Sequence, residues 1–387
     1  MQRSVERVLT THTGSLPRPE ALKRLYIDRS RGERADAAAI EAQAAAAVRE
    51  MIRRQRACGI DIINDGEQQR DQFFRYIQRR MSGFGGSWSR RIFADLAEYP
   101  AFKAMEERII GNDVVSHRDG LPQAVAEVRY TDTGPINREC EAFRAALKEA
   151  PEAPTGTFMT APSPGLIARG MQNLYYDTEQ AYLKAIGDAV RVEYESIVRH
   201  GFQLQIDAPD LALERHVTYQ DRPLGDFLAF VESVVETINA ALRNIPREKV
   251  RLHVCWGNYE GPHHCDVELR AILPLLKRAK VGGFVLPFAN GRHAHEYRCL
   301  ADMPLDDGQF IVAGVIDCFT NVIEHPEAVA DRLERVAQVV GDSSRVLAGT
   351  DCGFETSTGR RRVAEEIVWA KLRSLSEGAR LASQRLS

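Results

Sequence analysis

Eight short apolar runs, each ending in polar residues, recur along this sequence and constrain its fold. Most of them are separated by stretches with helical periodicity, among them 36–59, 177–200 and 326–340. The apolar runs end near Thr11, Asn64, Thr160, Asp207, Cys255, Phe288, Asp317 and Asp351. Strands alternating with helices are typical of a parallel sheet, and eight of them favour a closed barrel over an open sheet. We therefore predict an α/β fold of the (β/α)8 TIM barrel type.

The segment from about 73 to 150 breaks this rhythm. Gly83, Gly85 and Gly86 interrupt the periodicity, and residues 125–130 alternate like one arm of a hairpin. We predict an inserted small β-ribbon with helices, within a single domain that spans residues 1–387.

Composition narrows the functional class. The chain has 387 residues, of which 44% are hydrophobic and 27% charged, as in a globular enzyme. The 51 basic and 54 acidic residues give a net charge of −3, which gives no support for nucleic-acid binding. No stretch approaches the ~20 apolar residues of a membrane span, and no signal peptide begins the chain, so we predict a cytoplasmic protein. Seven scattered cysteines without an export signal argue against a disulfide framework.

A metal site is indicated where two of the strands end. His253 and Cys255 lie two residues apart, so on a strand their side chains point to the same face. Cys352 follows the last strand, and in a barrel it shares a rim with this pair. One imidazole and two thiolates suit a zinc ion with an open fourth position, although each cysteine could instead be a buried core residue. Zinc lowers the pKa of a bound thiol, which would make a substrate thiol nucleophilic.

Further residues are weaker candidates for this site. His263, His264 and Cys265 lie beyond Gly257 and Gly261, in a predicted loop, and Cys318 follows another strand. Two carboxylates at strand ends, Glu67 and Asp207, could bind the ammonium group of an amino-acid substrate, or they could have structural roles.

Five motifs together resemble the cobalamin-independent methionine synthase family, specifically its short single-barrel members. The motifs are T-H-T-G-S-L-P-R-P, D-I-I-N-D-G-E, F-Q-L-Q-I-D, H-V-C-W-G-N and G-T-D-C-G, and they span nearly the whole chain. The resemblance implies that a zinc ion binds the acceptor as a thiolate, which attacks an alkyl donor in an in-line displacement. The implied partners are therefore a small thiol and an alkyl donor.

The resemblance also implies roles for individual residues. His253, Cys255 and Cys352 would ligate zinc. Gly14 and Ser15 would hold an amino-acid carboxylate, with His12 of the same motif among the substrate-binding residues, while Glu67 and Asp207 would orient the substrate as binding and catalytic groups.

Three departures from the family pattern leave the exact reaction open. Pro287 stands where the synthases have a glutamate ligand, Ala208 replaces the glutamate of an Asp-Glu pair, and the T-F-M-T-A-P-S-P segment lacks the family's tryptophan. A His-x-Cys pair with a distant cysteine and no glutamate is similar to the epoxyalkane:coenzyme M transferases. A zinc-free enzyme of the uroporphyrinogen decarboxylase type and a binding protein for thiols or corrinoid partners are also compatible with the sequence. A fourth zinc ligand could come from Glu260, His293 or Glu296.

Overall fold

The computed structural model describes residues 3–33, 36–111, 113–116 and 118–386. Helices and strands alternate along most of this length. The strands are β1 (Ile62–Ile63), β2 (Met81–Trp88), β3 (Leu121–Tyr130), β4 (Gly156–Pro162), β5 (Gln172–Asn173), β6 (Gln203–Asp207), β7 (Val250–His253), β8 (Gly283–Pro287), β9 (Phe310–Ile316) and β10 (Val346–Thr350). The α-helices are α1 (Glu20–Ser30), α2 (Ala37–Ala57), α3 (Ala94–Glu98), α4 (Pro100–Ile110), α5 (Gly134–Glu149), α6 (Pro164–Gly170), α7 (Glu179–Arg199), α8 (Asp210–Leu213), α9 (Leu224–Ala241), α10 (Leu269–Leu276), α11 (Cys299–Asp302), α12 (Pro326–Val340) and α13 (Glu365–Leu386).

Seven strands form one curled, wholly parallel sheet in the order β1, β4, β6, β7, β8, β9, β10. The segment around Thr10 contacts both edges of this sheet. Thr10 forms a parallel bridge with Ala348 of β10, and its carbonyl accepts a hydrogen bond of 3.0 Å from the N–H of Ile62 in β1. The α/β class and the parallel sheet that the sequence predicts are therefore confirmed.

The sheet separates two hydrophobic layers. A small cluster fills its concave side, and a much larger one lies between the strands and the surrounding helices. The inner cluster consists of Leu9, Ile62, Phe158, Val285, Phe310, Val312 and Leu347. Arg251 caps it, with its guanidinium carbon 3.8 Å from the centre of the Phe158 ring. Because β8, β9 and β10 are buried on both faces, they read as nearly continuous apolar runs in the sequence.

Helix boundaries follow local capping chemistry. The Thr178 side chain accepts a hydrogen bond from the N–H of Ala181 and begins α7. Helix α12 begins at Pro326 and ends at Gly341, whose φ of 76° is the left-handed conformation that glycine supplies at a C-terminus. The helices predicted for 177–200 and 326–340 are thus present within two residues of their expected ends.

The segment between β1 and β4 supplies two of the three strands of a second, smaller sheet. Strands β2 and β3 pair antiparallel, and β5 adds to the edge of β3. Buried ion pairs connect this region to the rest of the chain: Arg80 contacts both Glu139 of α5 and Glu193 of α7. The structure thus contains a ribbon and helices within the predicted insertion, whereas the single-domain assignment stays a prediction. Among the described helices, none has the length and apolar character needed to cross a membrane.

Candidate metal and thiol site

Three potential metal ligands converge at the carboxyl ends of two strands. His253 is the last residue of β7, Cys255 follows two residues later, and Cys352 follows β10. All three side chains are buried, and their ligand atoms lie within 4.8 Å of one another. The two sulfur atoms are 3.9 Å apart. The structure therefore brings together the three residues that the sequence singles out for zinc.

The chemistry of this group fits a metal ion. His253 Nδ1 lies 3.3 Å from the carbonyl oxygen of Val285, which orients the ring. In the described part of the chain, its buried Nε2 has no hydrogen-bond partner. A buried imidazole nitrogen without a partner is costly, and a metal ion beside two thiols would satisfy it.

The candidates for a fourth ligand lie elsewhere. Glu260 pairs with Arg362 at 3.1 Å, while His293 and Glu296 are hydrogen-bonded to each other. Pro287 ends β8 and lines a cavity beside Cys255 and Cys352. Among the described residues, the group around His253 has only the three members.

Residues 263–265 and Cys318 do not join this group. His264 and Cys265 lie near Glu98, and His263 near Asp266. The Cys318 thiol instead donates a hydrogen bond of 2.9 Å to the carbonyl oxygen of Cys352.

Two buried carboxylates lie next to the three potential ligands. Glu67 accepts a hydrogen bond of 3.0 Å from the Thr160 hydroxyl through Oε1, while its Oε2 has no partner among the described residues. Asp207 ends β6 and accepts a bond of 2.7 Å from Gln205. Burial, and then the neighbouring Asp207 carboxylate, raise the pKa of Glu67 to about 8. Burial raises the pKa of Asp207 to about 6. Such a pair suits a cationic group that would restore the charge of both.

The backbone of Glu67 is itself unusual. Its φ is 57°, the left-handed region that non-glycine residues rarely occupy. Strained backbone of this kind is found at functional sites, where the surrounding structure enforces it.

The loop that holds Gly14 and Ser15 packs against these groups. A Cβ atom added at Gly14 would lie 2.6 Å from Glu67 Oε1, so glycine is required for the carboxylate to occupy this position. The Ser15 hydroxyl oxygen is buried without a partner in the described residues. Residues 11–18 are all buried, because the loop packs against the ends of β1 and β10.

His12 has contacts different from those expected of a substrate ligand. Its Nε2 is 2.7 Å from Gln55 Oε1, and its Nδ1 accepts a bond of 3.2 Å from the N–H of Gly14. Burial lowers the pKa of His12 to about 4, so the ring is neutral. His12 does not line the pocket that contains Glu67 and Cys352. It instead fixes the turn at Gly14.

One pocket is lined both by polar groups of this site and by a set of apolar side chains, the apolar wall. It encloses about 760 Å³, including space open to solvent. The polar residues that line it include Ser15, Glu67, Asp207, His253, Cys255 and Cys352, and the apolar wall consists of Phe73, Phe74, Phe93, Leu166 and Leu213. The three phenylalanines belong to or adjoin the predicted insertion, and they were not predicted as site residues. The only signal for Phe73 and Phe74 is the F-F pair that follows the D-I-I-N-D-G-E motif, and Phe93 is not part of that pair.

Comparison with known proteins gives consistent relatives. A family model described as the catalytic domain of cobalamin-independent synthase matches residues 8–96. A methionine synthase from Sulfolobus acidocaldarius is 24% identical over 378 residues, covering 97% of this chain and 93% of that protein. A 2-hydroxypropyl-CoM lyase from Xanthobacter autotrophicus is 26% identical over 370 residues, covering 88% and 85%. The solved structure of a B12-independent methionine synthase from Shewanella sp. W3-18-1, in complex with selenomethionine, covers 98% of this chain and 99% of its own. It aligns with a TM-score of 0.72 at 18% identity, which shows the shared fold.

Proposed function

This chain resembles the cobalamin-independent methionine synthases along nearly its whole length, and from that premise we propose that it is a zinc-dependent transferase. The reaction is the transfer of a methyl or other alkyl group to a small thiol. The observation that carries the proposal is the convergence of His253, Cys255 and Cys352 within 4.8 Å in the lining of one pocket.

His253, Cys255 and Cys352 would hold the zinc ion. The partnerless Nε2 of His253 and the two thiols 3.9 Å apart support this assignment. The chemistry that zinc supplies in such a site is a lower pKa for an added thiol, which becomes a nucleophile at neutral pH. The remaining work of binding, orienting and excluding water belongs to the side chains around it.

Glu67 and Asp207 would bind the ammonium group of an amino-acid thiol. A cation between them would offset the cost of two buried carboxylates and bring both to the ionised form. Ser15, whose buried hydroxyl lacks a partner in the described chain, would donate to the substrate carboxylate. His12 would not contact the substrate and would act indirectly, by holding the turn at Gly14 in place. An acceptor fixed at both ends keeps its sulfur aligned for displacement, which is the main source of rate in such reactions.

The apolar wall would receive the alkyl donor. Phe73 and Phe74 pack edge to face, with ring centres 5.2 Å apart, and line the same pocket as the carboxylates. Aromatic side chains there exclude water from the sulfur, so that the alkyl group meets the thiol and not a hydroxide.

A second candidate function is epoxide opening by coenzyme M. Pro287 at the position of the synthases' glutamate favours it, as does the similarity to the 2-hydroxypropyl-CoM lyase. The two carboxylates argue for the first candidate, because a sulfonate acceptor would meet negative charge where an ammonium group finds a partner.

We also propose that the parallel sheet closes as an eight-stranded barrel. Residues Leu9–Thr11 would serve as the eighth strand, since they hydrogen-bond to β10 on one side and to β1 on the other. This closure brings Gly14 and Ser15 from the start of the chain next to Cys352 near its end.

The test is an alkyl-transfer assay with a panel of thiols against methyl and epoxide donors. An amino-acid thiol with a methyl donor supports the first function, and coenzyme M with an epoxide the second. Cys255→Ser should lower kcat/KM by about 10²- to 10⁴-fold, as expected for loss of a metal-derived nucleophile. Cys265→Ser, a nearby cysteine outside the group, is the matched control. A chain that contains no zinc and shows no transfer to any thiol would refute both functions.

A further inference from the structure

A second group of potential metal ligands lies beyond Cys255, in the loop that leads to α10. His263, Asp266 and His293 are outside the site described above, and their ligand atoms lie within 4.8 Å of one another. Two ring nitrogens converge on one carboxylate oxygen: His263 Nδ1 and His293 Nε2 are each 2.8 Å from Asp266 Oδ2. Asp266 is almost fully buried.

The outer nitrogen of each ring is also held. His293 Nδ1 is 2.8 Å from Glu296 Oε2, and His263 Nε2 is 3.2 Å from the carbonyl oxygen of Tyr259. Glu296 is fixed in turn by the N–H of Leu269. Metal-binding histidines show this pattern, in which a carboxylate or carbonyl on the outer nitrogen sets the orientation of the ring.

The number of protons on the two rings leaves room for a bound cation. All four ring nitrogens of His263 and His293 face oxygen acceptors, but a neutral imidazole carries only one N–H. The contacts are all satisfied either if both rings carry an extra proton or if a cation lies between the two inner nitrogens and Asp266. A divalent ion would replace the two inner protons without changing the net charge.

The other carboxylate oxygen is unsatisfied. Asp266 Oδ1 lies 3.0 Å from His216 Nδ1, yet neither atom has a hydrogen-bond partner in the described residues. His216 therefore offers an additional nitrogen beside the group. The backbone of His263 has a φ of 54°, a strained conformation for a residue other than glycine. The loop is therefore strained at the residue that carries this imidazole.

We propose that His263, Asp266 and His293 form a second metal site for a divalent first-row transition metal ion. Two imidazoles and one carboxylate suit zinc, iron or manganese. A cavity of about 800 Å³, including open solvent, is lined by His263 and His293 and gives access. The same cavity is lined by Cys255 and Cys352, and Trp256 stacks on His293 with ring centres 3.9 Å apart. A metal ion bound at this second site would therefore hold in place the loop that begins at Cys255.

The test is a titration with cobalt(II), whose spectrum separates the two sites. Thiolate ligands give an intense charge-transfer band in the near ultraviolet, whereas imidazole and carboxylate ligands give only weak visible bands. Every protein carries His264→Gln, so that the exposed Glu98, His264 and Cys265 group does not contribute. In this background we expect two equivalents of cobalt to bind, one of them with the charge-transfer band.

Cys255→Ser with Cys352→Ser should leave one equivalent without that band, and adding His263→Gln with His293→Gln should abolish it. The control is His295→Gln, which replaces an exposed histidine on the same loop. It should change neither the number of cobalt equivalents bound nor the charge-transfer band. The proposal is overturned if the cysteine variant binds no cobalt, or if binding persists without His263 and His293. If the histidine variant does not fold, the cysteine variant decides: cobalt should raise its Tm, and an unchanged Tm overturns the proposal. Because none of these readouts uses transferase activity, their failure is distinguishable from failure of the proposed function.

Discussion

Gly14 and Glu67 are matched to each other: a Cβ atom at residue 14 would lie 2.6 Å from Glu67 Oε1. The contact joins the first loop of the chain to the carboxylate that follows β1. Gly14 also has a φ of 146°, which disfavours any other residue. The position of the Glu67 carboxylate therefore depends on the absence of a side chain one loop away.

Gly14→Ala should displace the Glu67 carboxylate while leaving the metal ligands in place. We expect kcat/KM for the thiol acceptor to fall by about 10²-fold, the usual effect of a displacement of about 1 Å at an orienting group. Zinc content should be unchanged. Gly225→Ala is the matched control, because a Cβ there meets nothing within 4 Å. Equal losses in the two variants would argue against a specific role for Gly14.

Replacing Glu67 should change the pH dependence of stability. In the folded chain the pKa of Glu67 is raised to about 8, mainly by burial, while in the unfolded chain it is ~4.3. Between these values the folded state holds a proton that the unfolded state has lost, so this residue makes the protein less stable as the pH rises. Glu67→Gln removes this loss of stability at high pH, because the amide side chain does not ionise. The Tm of the variant relative to the wild type should therefore be higher at pH 8.5 than at pH 5, and a pH-independent difference would contradict the assignment.

Phe73 allows donor binding to be separated from acceptor binding. Phe73→Ala shortens the apolar wall without touching the carboxylates, so we expect the KM for the alkyl donor to rise about tenfold. The KM for the thiol should stay within twofold, by the same reasoning. Tyr175→Ala, an exposed aromatic away from the pocket, is the control. An increase confined to the thiol KM would place the donor elsewhere.

Much of the fold is readable from the sequence because buried parallel strands leave a simple pattern. Strands β8, β9 and β10 are almost entirely apolar, so they have no polar face to confuse the periodicity. The ribbon was harder to predict: β2 contains Gly83, which lets the backbone of Glu127 approach closely, and glycines weaken any strand pattern. The two-residue strand β5 is too short to give a signal.

The residues of the candidate site also divide into those that the sequence indicates and those that it does not. His253 and Cys255 are recognisable by their spacing, and Cys352 by its place after a strand. The position of Phe93 in the apolar wall depends on how loops fold back over the sheet. The contacts of His263 with Asp266 and His293 depend on the same folding of loops. Contacts between distant loops carry no periodicity, so sequence patterns predicted neither of them.

The central claim is that the acceptor sulfur completes a zinc site made by His253, Cys255 and Cys352. X-ray absorption at the zinc edge tests it most directly, in a variant that carries His263→Gln, His264→Gln and His293→Gln, so that zinc occupies only the site of His253, Cys255 and Cys352. We predict two sulfur ligands per zinc in the free protein and three after addition of the thiol acceptor. A sulfur number that stays at two with the acceptor bound would contradict the claim.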